Sequence, residues 1–266
     1  MKNKLLLALL SLAAVSPAAL LAQTTATAPA PVETPSYSLV VTPSFVSQYM
    51  FRGVRLGGPS FQPSVEFDSG PWAVGVWSNF PLSDKVPGVS DPEIDPYASY
   101  TYTVNDTLSV VPGFTWYNYP DADKSAGFYT STFEPSLAVN YTVAGWKFTP
   151  KAYYDFVLKG PTYELTAAFA VPLKDYGTEL DFTGTAGTYR WTDAAANTNP
   201  NVKNWGDYWS AGVSMPFVVA TNAKFVVGYA YTQGWNNYYK AGTAPKSRNT
   251  AASGRNVLTL SYVLTF

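Results

Sequence analysis

The chain has 266 residues, a formal net charge of −1 and more aromatic than charged residues, 16% against 13%. It contains neither Cys nor His. That excludes a disulfide framework, Cys/His metal centres and the His-dependent protease, phospholipase and acyltransferase mechanisms. The 17 basic residues form no stripe, so nothing points to nucleic acid.

In chain order, Met1-Lys2-Asn3-Lys4 is a short cationic segment and Leu5 to Leu21 an apolar run that closes on small residues. This is the layout of a secretory signal peptide over residues 1–22, with Ala22-Gln23 as the cut. Its removal takes Lys2 and Lys4 and leaves 15 basic against 18 acidic residues. Residues 23–36 are rich in Thr, Ala and Pro with the single charge Glu33, a composition that reads as a disordered periplasmic linker. No later stretch reaches the ~18 apolar residues that a spanning helix needs.

From Tyr37 onward the hydrophobic pattern has period two. Phe61, Val65 and Phe67 alternate with Ser60, Gln62, Ser64, Glu66 and Asp68; Tyr163, Leu165, Ala167 and Phe169 alternate with Thr162, Glu164, Thr166 and Ala168. The pattern predicts about twelve strands of roughly ten residues, the length that crosses a bilayer at a tilt. The spans are 37–51, 60–69, 71–80, 93–104, 107–118, 130–142, 146–158, 162–172, 178–190, 207–217, 223–234 and 256–266.

The connections fall into two classes. Short turns follow the even strands: Asp68 to Pro71, Asn105-Asp106, Ala144-Gly145, Lys174 to Gly177 and Thr221-Asn222. Longer polar loops follow the odd ones, namely 52–59, 81–92, 119–129, 191–206 and 235–255, and only Lys159-Gly160-Pro161 is short. This asymmetry predicts an all-β fold, a transmembrane antiparallel up-and-down barrel over 37–266 with both ends in the periplasm. An even strand number lets the last strand close on the first, around Val41, and leaves no edge in lipid. A soluble sandwich also has short alternating strands. It does not account for aromatic clusters at strand ends, as at Tyr49-Met50-Phe51, Trp116 to Tyr119, Trp205 to Trp209 and Trp235 to Tyr239, which suit a membrane interface.

The final strand carries Leu260, Tyr262, Leu264 and Phe266 on one face and stops on the aromatic residue. This alternation resembles the signal read by the outer-membrane barrel assembly machinery, making that machinery and outer-membrane lipid expected partners in a bacterial outer membrane.

Four segments resemble the TorF-type porins. Ser47-Gln48-Tyr49-Met50-Phe51-Arg52-Gly53 looks like an S-x-Y-x-F-R-G signature at the end of the first strand. Gly75-Val76-Trp77-Ser78-Asn79 looks like a G-x-W-x-S-N segment lacking the small residue before Ser78. Glu93 to Tyr97 resembles E-x-D-x-Y, and Tyr117-Asn118-Tyr119-Pro120 a tyrosine run ending in Pro. The resemblance covers 47–120 and implies a porin-like barrel, without a substrate.

Alternation places Glu66, Glu93, Asp95, Glu134, Lys147, Lys151, Asp155, Glu164, Glu179 and Asp181 toward the lumen, eight acidic and two basic. Two readings stay open: a lining that focuses a field favouring cations, and a set of cross-lumen ion pairs that fills a small barrel. Arg52 is either a lumenal cation at the outer rim, paired with Glu93 or Glu66, or a packed ion pair that locks the first strand, with Gly53 allowing a tight exit; the structural role is preferred. A two-carboxylate mechanism would need Glu93 and Asp95 to flank a substrate, yet residues i and i+2 of one strand point the same way. No enzyme activity and no cofactor is expected. Asp91, Asp121 and Asp123 are weak oxygen donors for Ca²⁺. The leading expectation is a channel for passive diffusion of small polar solutes. The alternative is a non-conducting barrel whose loops at 191–206 and 235–255 bind a carbohydrate or protein partner.

Overall fold

The computed structural model describes residues 37–85, 92–122, 129–190, 205–235 and 254–266. The expected signal peptide and linker lie outside these residues. So do Asp91, Asp123 and most of the two loops expected to bind partners.

Twelve spanning strands close into one antiparallel barrel. Three of them are interrupted. β1 (Tyr37–Thr42) and β2 (Ser44–Val46) break at Pro43; β5 (Ser60–Phe61) and β6 (Ser64–Ser69) break at Gln62-Pro63; β8 (Glu93–Tyr100) and β9 (Tyr102–Asn105) break at Thr101. The others are continuous: β7 (Trp72–Pro81), β10 (Leu108–Asn118), β11 (Ser131–Val143), β12 (Trp146–Asp155), β13 (Gly160–Leu173), β14 (Thr178–Arg190), β15 (Trp205–Ala220), β16 (Ala223–Trp235) and β17 (Arg255–Thr265). A proline has no N–H to give a neighbour, so the ladder pauses at Pro43 and Pro63. Their carbonyls still accept, from Tyr262 N (3.0 Å) and Ser78 N (3.0 Å).

Closure joins β17 to β1 around Val41, as expected, and the register sets Val41 opposite Leu264. Phe266 exchanges two backbone hydrogen bonds with Leu39, at 2.9 and 3.0 Å. The short turns have the expected chemistry. Ala144 and Gly145 both have positive φ (49° and 83°), as a two-residue hairpin turn requires. The Asn105 side chain accepts from Thr107 N at 2.9 Å, replacing a backbone turn bond.

The burial pattern is the reverse of a soluble protein's. Val65, Phe67, Val74, Leu137, Leu165 and Phe182 point outward, while Thr42, Ser60, Ser64, Thr162, Thr166 and Thr185 are buried inside. Apolar side chains outside and polar ones inside is what a barrel standing in lipid demands. Outward aromatics gather near the short turns, where Trp72 meets Tyr100 edge-on (4.8 Å) and Trp146 stacks on Phe169 (5.0 Å).

Two predicted spans change. The first strand, expected over 37–51, leaves the wall after Val46. Its continuation, β3 (Tyr49–Phe51), pairs with β4 (Val54–Gly57) in a separate two-stranded sheet. Tyr49 is accordingly 6% exposed and belongs to the interior, not to the aromatic belt expected there. The strand expected over 146–158 ends at Asp155, whose carboxylate caps the turn by accepting from Val157 N (2.8 Å) and Leu158 N (2.7 Å).

Candidate functional site: the inserted hairpin and the lumen beneath it

Alternation fails at Tyr49 for a physical reason. Arg52 (φ 48°) and Gly53 (φ 76°) reverse the chain, a conformation costly for Arg and free for Gly. The resulting hairpin enters the lumen instead of lying over it. At its tip backbone meets backbone: a Cβ on Gly53 would stand 2.6 Å from both Gly234 Cα and Tyr208 Cβ. Only glycine permits this approach.

The hairpin is held by partners on widely separated strands. Arg52 Nη1 and Nη2 donate to the two Glu134 oxygens at 2.8 and 2.7 Å, and the side chains are 2% and 1% exposed. The guanidinium lies over the rings of Phe51 and Tyr153, 4.6 and 4.7 Å from their centroids. Such a bidentate pair beside two rings uses both terminal nitrogens, which a Lys could not reproduce, while Arg52 Nε is buried without a hydrogen-bond partner. Glu134 is therefore the partner of Arg52. The pairing expected with Glu93 or Glu66 does not occur, because the hairpin carries Arg52 inward past the strands that hold them. Tyr49 OH instead donates to Glu93 Oε2 (2.7 Å), while Tyr119 OH donates to Glu93 Oε1 (3.1 Å). The Tyr49 ring packs on Trp77 and the Phe51 ring on Tyr117. At the base, Arg55 joins Gln48 (2.6 Å) to Asp84 (2.5 Å), anchoring the hairpin to the next loop.

The four sequence motifs thus become one object. Tyr49, Phe51 and Arg52 are the insert, and Trp77, Glu93 and Tyr117 form the wall that receives it. Gly75 belongs to the same wall: a Cβ there would meet the Tyr97 ring at 2.5 Å, and Tyr97 OH donates to Glu66 Oε2 at 2.8 Å.

The other expected lumen residues are distributed as follows. Asp95 is buried and accepts from Asn118 N (3.2 Å). Glu164 is buried between Tyr208 OH (2.6 Å) and Tyr153 OH (3.3 Å), and lies cross-strand from Lys151. Lys147 and Lys151 are half-buried, with the Lys151 ammonium 4.6 Å from the Tyr153 ring centroid. Asp155 is buried as the turn cap and also accepts from Thr132 (2.7 Å). Asp181 is buried with Glu179 two residues away and half-buried; both lie apart from the hairpin. Alternation had no way to find the tyrosines, which donate to the carboxylates through the network.

The hairpin divides what it does not fill. On one side and beneath it lies a cavity of about 420 Å³, with Glu66, Asp68, Asp95, Lys147, Lys151 and Tyr97 in its lining. On the other side a gap of about 70 Å³ runs along β13 to β17, past Thr185, Ser210 and Thr259. Among the described residues no group of three carboxylates is placed to hold a metal ion.

The fold is shared with solved outer-membrane barrels. A structure titled KdgM porin is 12% identical, with 86% of this chain and 99% of that chain covered at a TM-score of 0.51. A second, titled KdgM porin in complex with disordered oligogalacturonate, is 11% identical at the same coverages and a TM-score of 0.50. At such identities the likeness is one of fold. A search of curated proteins finds no match. The porin-like barrel that the TorF-type resemblance implied is the fold present, and the family profile that covers residues 28–261 does not carry that name. The chain belongs to the family described as bacterial protein of unknown function (Gcw_chp).

Proposed function

We propose that this chain is an outer-membrane channel through which small polar solutes diffuse passively, with a mild preference for cations, and that the inserted hairpin sets its narrowest level. The observation that carries the reading is the cavity beneath the hairpin, with charged side chains in its wall, inside a barrel whose outer face is apolar. A lumen with no passage would need interior side chains that meet across it. Here the hairpin fills part of the bore and leaves space on both of its sides.

The short turns face the periplasm and the hairpin lies toward the outside, because β2 runs from the short-turn end to the long-loop end before the chain turns inward. The C-terminal face with Leu260, Tyr262, Leu264 and Phe266 serves the barrel assembly machinery, and the outward apolar side chains meet lipid. The mild cation preference follows from composition. Glu66, Asp68, Asp95 and Glu164 line the cavity against Lys147, Lys151 and an Arg52 already paired with Glu134. No reaction is assigned. Glu93, which shares a strand face with Asp95, is 3% exposed with both oxygens taken by tyrosines.

The test is the zero-current potential of the purified barrel in a planar bilayer under a KCl gradient. A reversal potential on the cation side supports the reading; one on the anion side removes the cation preference.

A further inference from the structure

The charges around the larger cavity are sorted by wall, which their number alone does not convey. Glu66 and Asp68 stand on β6, whereas both lysines, Lys147 and Lys151, stand on β12 with Glu164 beside Lys151 on β13; Asp95 stands between the two walls, on β8. Around the closed barrel β6 is followed by β7, β8, β10, β11 and β12. β6 and β12 are therefore five steps apart in a ring of twelve, close to opposite, while β8 is three steps from β12. They are also at similar depth: Asp68 lies two residues before the turn glycine Gly70, and Lys147 two residues after Gly145.

These charges form no ion pair across the cavity, and Glu164 is the carboxylate that stands cross-strand from Lys151. Among the described residues neither lysine has a carboxylate oxygen within the 4.0 Å of an ion pair, and the ion pairs present are Arg52–Glu134 and Arg55–Asp84. Glu66 and Asp68 are held by neutral donors, namely Tyr97 and Ser38. A low-dielectric wall on each side and opposite charge across the gap give a field directed across the passage.

We propose that this chamber is a transit site for dipolar solutes, small molecules carrying an ammonium and a carboxylate a few bonds apart. The ammonium turns to Glu66 and Asp68 on β6, and the carboxylate to Lys147 and Lys151 on β12. A transverse field lowers the energy of a molecule that can align its own charges with it. It offers less to an uncharged solute, and a singly charged one gains at one wall only. The inference rests on the channel reading, and its test separates the two.

Liposomes carrying the full-length barrel are swollen in 4-aminobutyrate, a zwitterion, and in erythritol, an uncharged solute of similar size. For the unaltered protein the zwitterion is expected to enter several-fold faster. K147Q/K151Q and E66Q/D68N should each bring the ratio of the two rates close to one, and their reversal potentials in KCl should move in opposite directions. K147R/K151R, which keeps the charge, should keep the advantage and thereby separate loss of field from loss of folding. Entry of erythritol with no advantage for 4-aminobutyrate overturns the dipolar site and leaves the channel standing. Entry of neither solute overturns both.

Discussion

Arg52 concentrates the physics of this protein in one side chain. Its φ is positive, its guanidinium is buried, and its two terminal nitrogens meet one carboxylate beside two rings. Glu134→Gln leaves that cation buried without its charge partner, and removal of one member of a buried pair costs about 3 kcal/mol or more. Urea unfolding in lipid should show a loss of this size, and a change below about 1 kcal/mol would mean that water reaches the pair. Gly75→Ala tests packing in the same network. The added methyl overlaps the Tyr97 ring, so a loss of roughly 1–3 kcal/mol is expected, together with a less ordered Glu66. An unchanged midpoint in the same unfolding assay would contradict it. These contacts were only half legible in the sequence. Alternation marked Glu134, Glu66 and Glu93 as inward, because a strand has only two faces. It could not choose partners for Arg52, because partners across a lumen depend on the strand order and on how deeply the hairpin enters.

Strands obey the simpler rule, and here the sequence was most informative. Period two reached twelve strands and the closing of the last on the first around Val41 because each lipid-facing position must be apolar. It misplaced the end of the first strand, since Tyr49 and Phe51 are as apolar as any wall residue although they pack inside against Trp77 and Tyr117. The Arg52-Gly53 step was the available signal for that departure. Leu165, in the middle of β13 and 49% exposed, tests the wall directly. Leu165→Arg should cost about 2–4 kcal/mol if that face meets the bilayer centre, whereas a soluble barrel would accept an arginine there with little change. At the closing strand, deletion of Phe266 removes both backbone hydrogen bonds to Leu39 and the terminal aromatic residue. The yield of heat-modifiable barrel in the outer membrane should fall, while wild-type yield would count against an assembly role.

The whole molecule is a closed wall with one element moved from the rim into the bore. Hairpin and wall are joined by contacts of the insert with β7, β8, β10, β11, β12 and β16. The sequence distance between Arg52 and Glu134 is 82 residues, so the insert also ties early strands to later ones across the lumen. Its two roles make separable predictions. Replacement of residues 49–57 by a short Gly/Ser turn should lower stability, since the buried polar groups of the wall lose their partners. It should also widen the passage. The most direct test of the account is single-channel conductance of the wild-type barrel beside this variant in planar bilayers. The account predicts discrete steps for both proteins, with larger steps once the hairpin is gone. Absence of steps in both, or steps of equal size, would contradict a channel whose bore the hairpin narrows.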